Sequence, residues 1–233
     1  MTGTTAVGGL PEAIARRTST LFLDVDGTLV DSNAAHVEAW LRVFGEAGFR
    51  FDPAVIHARI GQGGDMLVPS LLPQIGAEAQ HALAEAHGRL FKAAYMPDVR
   101  PLPGVPAALA RLRAAGLGLV LASSSGAEEV DHYLDVLDLR GRVACTTSKD
   151  DAGHSKPAPD IFAAALAKSG RAPDEVLVVG DTPYDIIAAR RCGITAVGVL
   201  SGGFAAADLL AEGATAVLPG LPALAAALGQ RGG

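Results

Sequence analysis

Cysteine is scarce: Cys145 and Cys192 are the only two among 233 residues, and they lie far apart with no Cys-x-x-Cys spacing. That excludes a disulfide framework and a thiolate zinc site as organising features, and makes a reduced, cytoplasmic setting the expectation. Long apolar runs are missing too. Stretches such as Leu218 to Leu228 are interrupted by Pro and Gly, so no membrane span is expected. Met1 to Arg17 has no continuous apolar segment ahead of a small-residue cleavage site and places its basic pair after its apolar residues. It therefore reads as a flexible leader over 1–17 rather than a secretion signal. A basic stripe is lacking as well: the net charge is −6 and the arginines are scattered, which argues against nucleic acid as a partner. His36, His57, His81, His87, His132 and His154 show no metal-ligand spacing, and most read as solvent-facing helix residues.

What is present is an alternation of short apolar runs and helical segments. The runs Thr20 to Val25, Leu117 to Ala122, Val143 to Thr146, Val176 to Val179 and Thr195 to Val199 read as buried parallel strands, with Ala216 to Leu218 as a further edge strand. Helices over Val105 to Ala115, Glu128 to Leu137, Pro159 to Lys168 and Asp185 to Cys192 alternate with them, which implies a doubly wound, Rossmann-like α/β sheet. From Asn33 to about Met96 no strand competes, and the pattern gives helices at Ala35 to Phe44, Pro53 to Ile60, Met66 to Leu72 and Ala77 to Tyr95. The expected division is an α/β core over 18–32 and 97–233 with an all-helical insert at 33–96, entered at Asp31-Ser32 and left through Pro97 and Pro101 to Gly104.

Open α/β sheets bind ligands beyond the carboxyl ends of their strands. There the sequence carries Asp24-Val25-Asp26-Gly27-Thr28 after the first strand, Ser123-Ser124-Ser125 after the second, Lys156 before the helix at Pro159, and Gly180-Asp181-Thr182-Pro183-Tyr184-Asp185 after the fourth. Residues i and i+2 of a strand face one way, so Asp24 and Asp26 are expected to crowd one spot where a cation relieves their repulsion. A helix N-cap accounts equally well for a serine run alone, and solvent exposure for a lone lysine; the joint occurrence makes the pattern specific.

These four clusters, in this order and spacing, resemble the motifs of the haloacid dehalogenase superfamily across nearly the whole chain. The resemblance implies that Asp24 is a nucleophile forming an aspartyl phosphate, and that Asp26 is the acid and base. It implies that Ser123, Ser124, Lys156, Gly27 and Thr28 surround the phosphate. It also implies that Asp24, the backbone carbonyl of Asp26, Asp181 and Asp185 hold Mg²⁺. Charge balance points the same way, since a carboxylate attacks a dianionic phosphate only where a hard cation and a lysine cancel the repulsion. In the insert, Gly61, Gln62 and Gly63 of a glycine-rich loop are candidates for substrate contact, with a plain helix-to-helix turn as the other reading. His36 resembles a cap-hinge histidine of the β-phosphoglucomutase group.

The resemblance implies a Mg²⁺-dependent phosphatase of a small phosphorylated metabolite, in the phosphoglycolate phosphatase and β-phosphoglucomutase-like branch, acting as a monomer or homodimer. Dehalogenases and phosphonate-cleaving relatives lack a second acid at the position of Asp26. A sugar phosphomutase stays open as an alternative, although glycine stands in the Ile60 to Asp65 loop where a mutase has arginine, and Gly180-Asp181-Thr182 departs from a mutase-like Glu-Asp-Ser. A phospho-Asp signalling module is the alternative of another class; receivers, however, carry the acceptor after a middle strand and have no helical insert beside it.

Overall fold

A computed structural model describes residues 9–229. Six parallel strands, β1 (Thr20–Leu23), β2 (Gly118–Ala122), β3 (Cys145–Thr147), β4 (Val176–Gly180), β5 (Thr195–Val199) and β6 (Val217–Leu218), lie in the order β3-β2-β1-β4-β5-β6. The order reverses at β1, where Leu21 is flanked by Leu119 on one side and Leu177 on the other. Such a reversal opens a crevice at the carboxyl edge, and Asp24 leaves β1 into it.

Alternation along the strands builds two cores. Leu21, Leu23, Leu119, Leu121, Leu177 and Val179 face one layer; Phe22, Val120, Ala122, Val176 and Val178 face the other. The first layer is closed by α6 (Val105–Ala114), α7 (Ala127–Val136) and α11 (Leu221–Leu228), which supply Leu109, Tyr133 and Leu224. The second is closed by α8 (Asp160–Ser169), α9 (Pro183–Arg191) and α10 (Ala206–Ala211), through Phe162, Ile186 and Leu209. Gly116, Gly170 and Gly193 follow α6, α8 and α9, each at positive φ, and end those helices.

Part of the expected leader is structured. Glu12–Arg17 forms α1, with Ile14 and Ala15 packed on the first core and the Thr18 hydroxyl donating to the Ile14 carbonyl at 2.8 Å. Two apolar residues a turn from a buried edge suffice to hold a short helix; residues 1–8 of the leader lie outside the described residues.

Between β1 and α6 the chain runs through α2 (Asn33–Glu46), α3 (Pro53–His57), α4 (Gly64–Leu71) and α5 (Ala77–Ala94). These helices bury a third apolar cluster, including Trp40, Phe44, Ile56, Leu67 and Val68, separate from the two sheet cores. The Pro69 ring is accommodated within α4.

Candidate active site

β1 ends at Leu23, two residues earlier than its apolar pattern suggests, so the segment from Asp24 onward is free to fold back on itself. The Val25 carbonyl accepts from the N–H groups of Thr28, Leu29 and Val30, closing a tight loop. Gly27 lies at φ +72°, and a side chain there would run into Asp181 and Asn33. That loop throws the two acids into different surroundings.

On one side, Asp24, Asp181 and Asp185 bring carboxylate oxygens within 4.8 Å of one another, all buried. The fully buried Lys156 ammonium is 2.6 Å from Asp24 Oδ1 and 2.7 Å from Asp185 Oδ1, and donates to the Ala122 carbonyl at 2.9 Å. Thr28 Oγ1 lies 3.1 Å from both Asp24 Oδ2 and Asp181 Oδ1, and Asn33 Nδ2 donates to Asp181 Oδ2 at 3.0 Å. Thr182 grips Asp185 Oδ2 through its N–H at 3.1 Å and its hydroxyl at 2.7 Å, in a capping box that opens α9. Three carboxylates against one lysine leave an excess of negative charge. Burial, then the charge of Asp185, pushes Asp24 up to about 7, against the pull of Lys156. Burial and the charges of Asp24 and Asp185 raise Asp181 well above the carboxylate range. Burial acts to lower Lys156, but Asp185 and Asp24 outweigh it and hold the ammonium charged. A hard divalent cation with oxygen ligands fits this donor set, and Asp24, Asp181 and Asp185 are the side chains that would hold it.

On the other side, the Asp26 carboxylate accepts from Ser32 Oγ at 2.6 Å, Tyr133 OH at 3.2 Å and His36 Nε2 at 3.2 Å on Oδ1, and from Ser125 Oγ at 2.9 Å on Oδ2. Burial alone would raise its pKa, but His36, Ser32 and Ser125 overcome this and hold it well below the usual carboxylate range. The expected crowding of Asp24 and Asp26 at one spot is thus corrected: Asp26 is only the last of the charges acting on Asp24, and its carboxylate is outside the three-acid cluster. The i, i+2 rule holds only inside a strand, and both residues lie past its end. His36 stacks on Phe91 with ring centroids 3.7 Å apart and directs Nδ1 at His87 Nε2, 3.4 Å away. His87, read as a solvent-facing helix residue, lies instead against Trp40, with ring centroids 3.9 Å apart, and burial lowers its pKa well below the ordinary value, so it is neutral.

A cavity of about 490 Å³ joins the two sides, reaching from Asp24, Asp26 and Ser124 to Gly61, Gln62 and Gly63. Ser123 is fully buried, its Oγ accepting from the Ser125 N–H at 3.0 Å, while Ser124 Oγ is buried with no hydrogen-bond partner. The insert loop approaches the core directly: a Cβ on Gly61, at φ +93°, would lie 2.6 Å from Thr182 Oγ1. Asp65 Oδ2 accepts from the Ser155 N–H at 2.9 Å, and Tyr184 OH donates to the Ala58 carbonyl at 2.6 Å. Every residue singled out in the sequence therefore lies at or beside this crevice. Ser32, Asn33, Ser125, Glu129 and Tyr133 were not singled out. Ser125 belongs to the serine run, but Tyr133 follows the apolar period of α7 and reads as core until its hydroxyl is seen on Asp26. Asp150 is exposed, yet it lines the cavity and its Oδ2 accepts from the Ala127 N–H at 2.8 Å.

A doubly wound sheet carrying a lysine-bridged acid cluster at its switch point, beside a cavity, defines a hydrolase acting on phosphate esters. The chain belongs to the haloacid dehalogenase-like hydrolase family, whose model matches residues 21–199. It is 30% identical over 184 residues to the fructose-1-phosphate phosphatase of Escherichia coli (strain K12), covering 77% of this chain and 95% of that one. It is 29% identical over 226 residues to a phosphoglycolate phosphatase of Rhodospirillum rubrum, covering 91% and 92%. A crystal structure of a hydrolase from Pseudomonas syringae superimposes with a TM-score of 0.83 at 32% identity, covering 89% of this chain and 96% of that one. No helix among the described residues is long and apolar enough to cross a membrane.

Proposed function

We propose that this protein is a Mg²⁺-dependent phosphatase of a small phosphorylated metabolite, working through a phosphoryl group carried on Asp24. The observation that carries the reading is the Lys156 ammonium held between Asp24 and Asp185, with Asp181 completing a buried acid cluster that one lysine leaves under-neutralised. Bound there, Mg²⁺ would supply charge neutralisation for nucleophile and phosphate alike. An Asp24 oxygen attacks phosphorus as the bond to the leaving oxygen breaks, and protonated Asp26 gives that oxygen its proton, releasing the alcohol. Water then attacks the same phosphorus, ionised Asp26 takes a proton from it, and the bond to Asp24 breaks to give orthophosphate. The proton gained in the second step serves the next turnover. The four donors around Asp26 favour its ionised form, the one the second step needs. Ser123, Ser124, Gly27, Thr28 and Lys156 would bind the transferring group, and Gly61, Gln62, Gly63 and His36 would meet the rest of the substrate.

In this reading residues 33–96 act as a cap on a core of 18–32 and 97–233, and closure excludes bulk water from the phosphoenzyme. The relatives named for fructose 1-phosphate and phosphoglycolate support a small ester as substrate. The test is phosphate release from an aryl phosphate and a panel of small esters, with and without Mg²⁺, by wild type and Asp24→Asn. Metal-dependent release lost in the variant is the expected result; undiminished release by Asp24→Asn would overturn the reading.

A further inference from the structure

Asp26 reaches His36, and His36 in turn reaches a second histidine. His36 Nε2 lies 3.2 Å from Asp26 Oδ1, and its other ring nitrogen, Nδ1, lies 3.4 Å from Nε2 of His87. The two imidazoles meet edge to edge, with centroids 5.4 Å apart and 29° between their planes, an arrangement that suits an N–H···N bond. Each ring is backed by an aromatic face: Phe91 covers His36 at 3.7 Å and 10°, and Trp40 covers His87 at 3.9 Å and 7°. His36 and Trp40 stand one turn apart on α2, and His87 and Phe91 one turn apart on α5, so two helices of the insert clamp the pair. Phe91 is fully buried, and Trp40 and His36 are buried as well. A ring held in this way keeps the orientation its neighbours give it.

A neutral imidazole carries one N–H, and the partner of one nitrogen decides where that proton sits. Burial keeps His87 neutral, so its Nε2 has either a proton to give or a lone pair to offer. When it gives, His36 Nδ1 is the acceptor and the proton of His36 stays on Nε2. When His36 is doubly protonated, His87 Nε2 accepts from Nδ1. In both states the Nε2–H of His36 faces Asp26 Oδ1. The tautomer that this pairing suppresses has a bare Nε2, which would draw the proton of protonated Asp26 to Oδ1 and away from a leaving group. With Ser32, Tyr133 and His36 all donating to Oδ1, the proton that Asp26 transfers is left to Oδ2.

We propose that His87 is a positioning residue for proton transfer: it fixes the tautomer of His36, so that His36 holds Asp26 Oδ1 as an acceptor and the transferable proton stays on Oδ2. This rests on the phosphatase reading. The first test needs no turnover. The ring nitrogens of isotope-labelled histidine are read by NMR in the resting protein at about pH 8, above the ordinary imidazole range, with the His36 signals assigned by their loss in His36→Gln. Wild type is expected to show His36 protonated at Nε2. In His87→Phe, which keeps a ring against Trp40, a form with bare Nε2 is expected to appear. A bare Nε2 in wild type would overturn the proposal, as would an Nε2 in His87→Phe protonated as fully as in wild type. The second test compares kcat/KM for an alkyl and an aryl phosphate in the presence of Mg²⁺. His87→Phe is expected to lower the alkyl value about 10-fold, part of the roughly 10²–10⁴-fold that proton transfer contributes, and to change the aryl value by less than about 2-fold. His87→Gln, whose carboxamide offers Nδ1 either an N–H or an oxygen, is expected to return the alkyl value to within about 3-fold of wild type. Equal losses on both esters, or no rescue by glutamine, would reduce His87 to packing and overturn the proposal. A loss confined to KM would mean that His87 meets the substrate, and would overturn it too. No release of aryl phosphate by wild type would overturn the phosphatase reading, and with it the role in proton transfer, while the tautomer result stands apart from that outcome.

Discussion

Asp24 and Asp26 are two residues apart, equally acidic as free side chains and both deeply placed, yet the fold drives them in opposite directions. Asp24 shares its surroundings with two more carboxylates and one lysine, and is pushed up to about 7. Asp26 is wrapped by four donors from α2, α7 and their flanking loops, and is held down. What differs is the neighbours each receives, not burial. The Asp24 side lacks positive charge and is suited to a cation and a dianion. The Asp26 side is already satisfied and suited to passing a proton. Environments that push paired titratable groups apart are how one site assigns separate roles to like residues.

Removing each acid breaks the comparison most directly. Asp24→Asn deletes the nucleophile and is expected to lower kcat by more than about 10⁴-fold, read as phosphate release under saturating ester and Mg²⁺. Asp26→Asn keeps the nucleophile and removes proton transfer, with an expected loss of about 10²–10⁴-fold. The loss should be smallest for an aryl ester, whose leaving group needs no proton. A loss as deep for the aryl ester as for alkyl esters would contradict the assignment of proton transfer to Asp26.

Much of this difference was beyond the reach of the sequence. Strand positions, helix alternation and the four polar clusters were legible because each rests on local patterns: the short apolar runs of β1, β2 and β4, the glycines after α6, α8 and α9, and Asp-x-Asp ahead of a glycine turn. The convergence of Asp24, Lys156, Asp181 and Asp185 followed from the sheet, since all leave its carboxyl edge. The surroundings of Asp26 were not legible. They come from Ser32, His36, Ser125 and Tyr133, on two stretches far apart in the chain, and neither a serine at a helix start nor a tyrosine on an apolar period announces a carboxylate partner.

The Asp24 side can be probed through stability. Lys156→Met leaves Asp24 and Asp185 buried without their cation and is expected to cost about 3–5 kcal/mol, measured as a shift in the urea midpoint. Added Mg²⁺ should recover part of it. The pH dependence of metal-free protein follows from the same groups. Burial and the charge of Asp185 push Asp24 up to about 7 in the folded state, above its ordinary value, so folding favours its protonated form. Its contribution to stability is full below about pH 4 and lost as pH rises towards and through 7, in the same sense as that of Asp181. Asp26 has the opposite sign: its contribution is present above its ordinary value and lost on acidification. Mg²⁺ should therefore raise Tm more at pH 8 than at pH 5 in wild type, and this difference should shrink in Asp24→Asn. An equal rise at both pH values would contradict the assignment.

The smallest expected effect sharpens the comparison furthest, because it alters one hydrogen bond and nothing else. Ser125 Oγ is the donor to Asp26 Oδ2 at 2.9 Å, while Ser32, His36 and Tyr133 all converge on Oδ1. In Ser125→Ala, Oδ2 loses its protein donor, the ionised form of Asp26 loses about 0.5–1.5 kcal/mol of support, and its pKa rises by up to about one unit. Ionised Asp26 is needed to take the proton from water, so the acid limb of the kcat profile should move to higher pH, with the plateau falling less than about 10-fold. The metal dependence of Tm, which reports on the Asp24 side, should stay as in wild type. A variant that moved both readouts together would mean that the two acids share one electrostatic environment, and the division between a charge-deficient side and a donor-rich side would have to be given up.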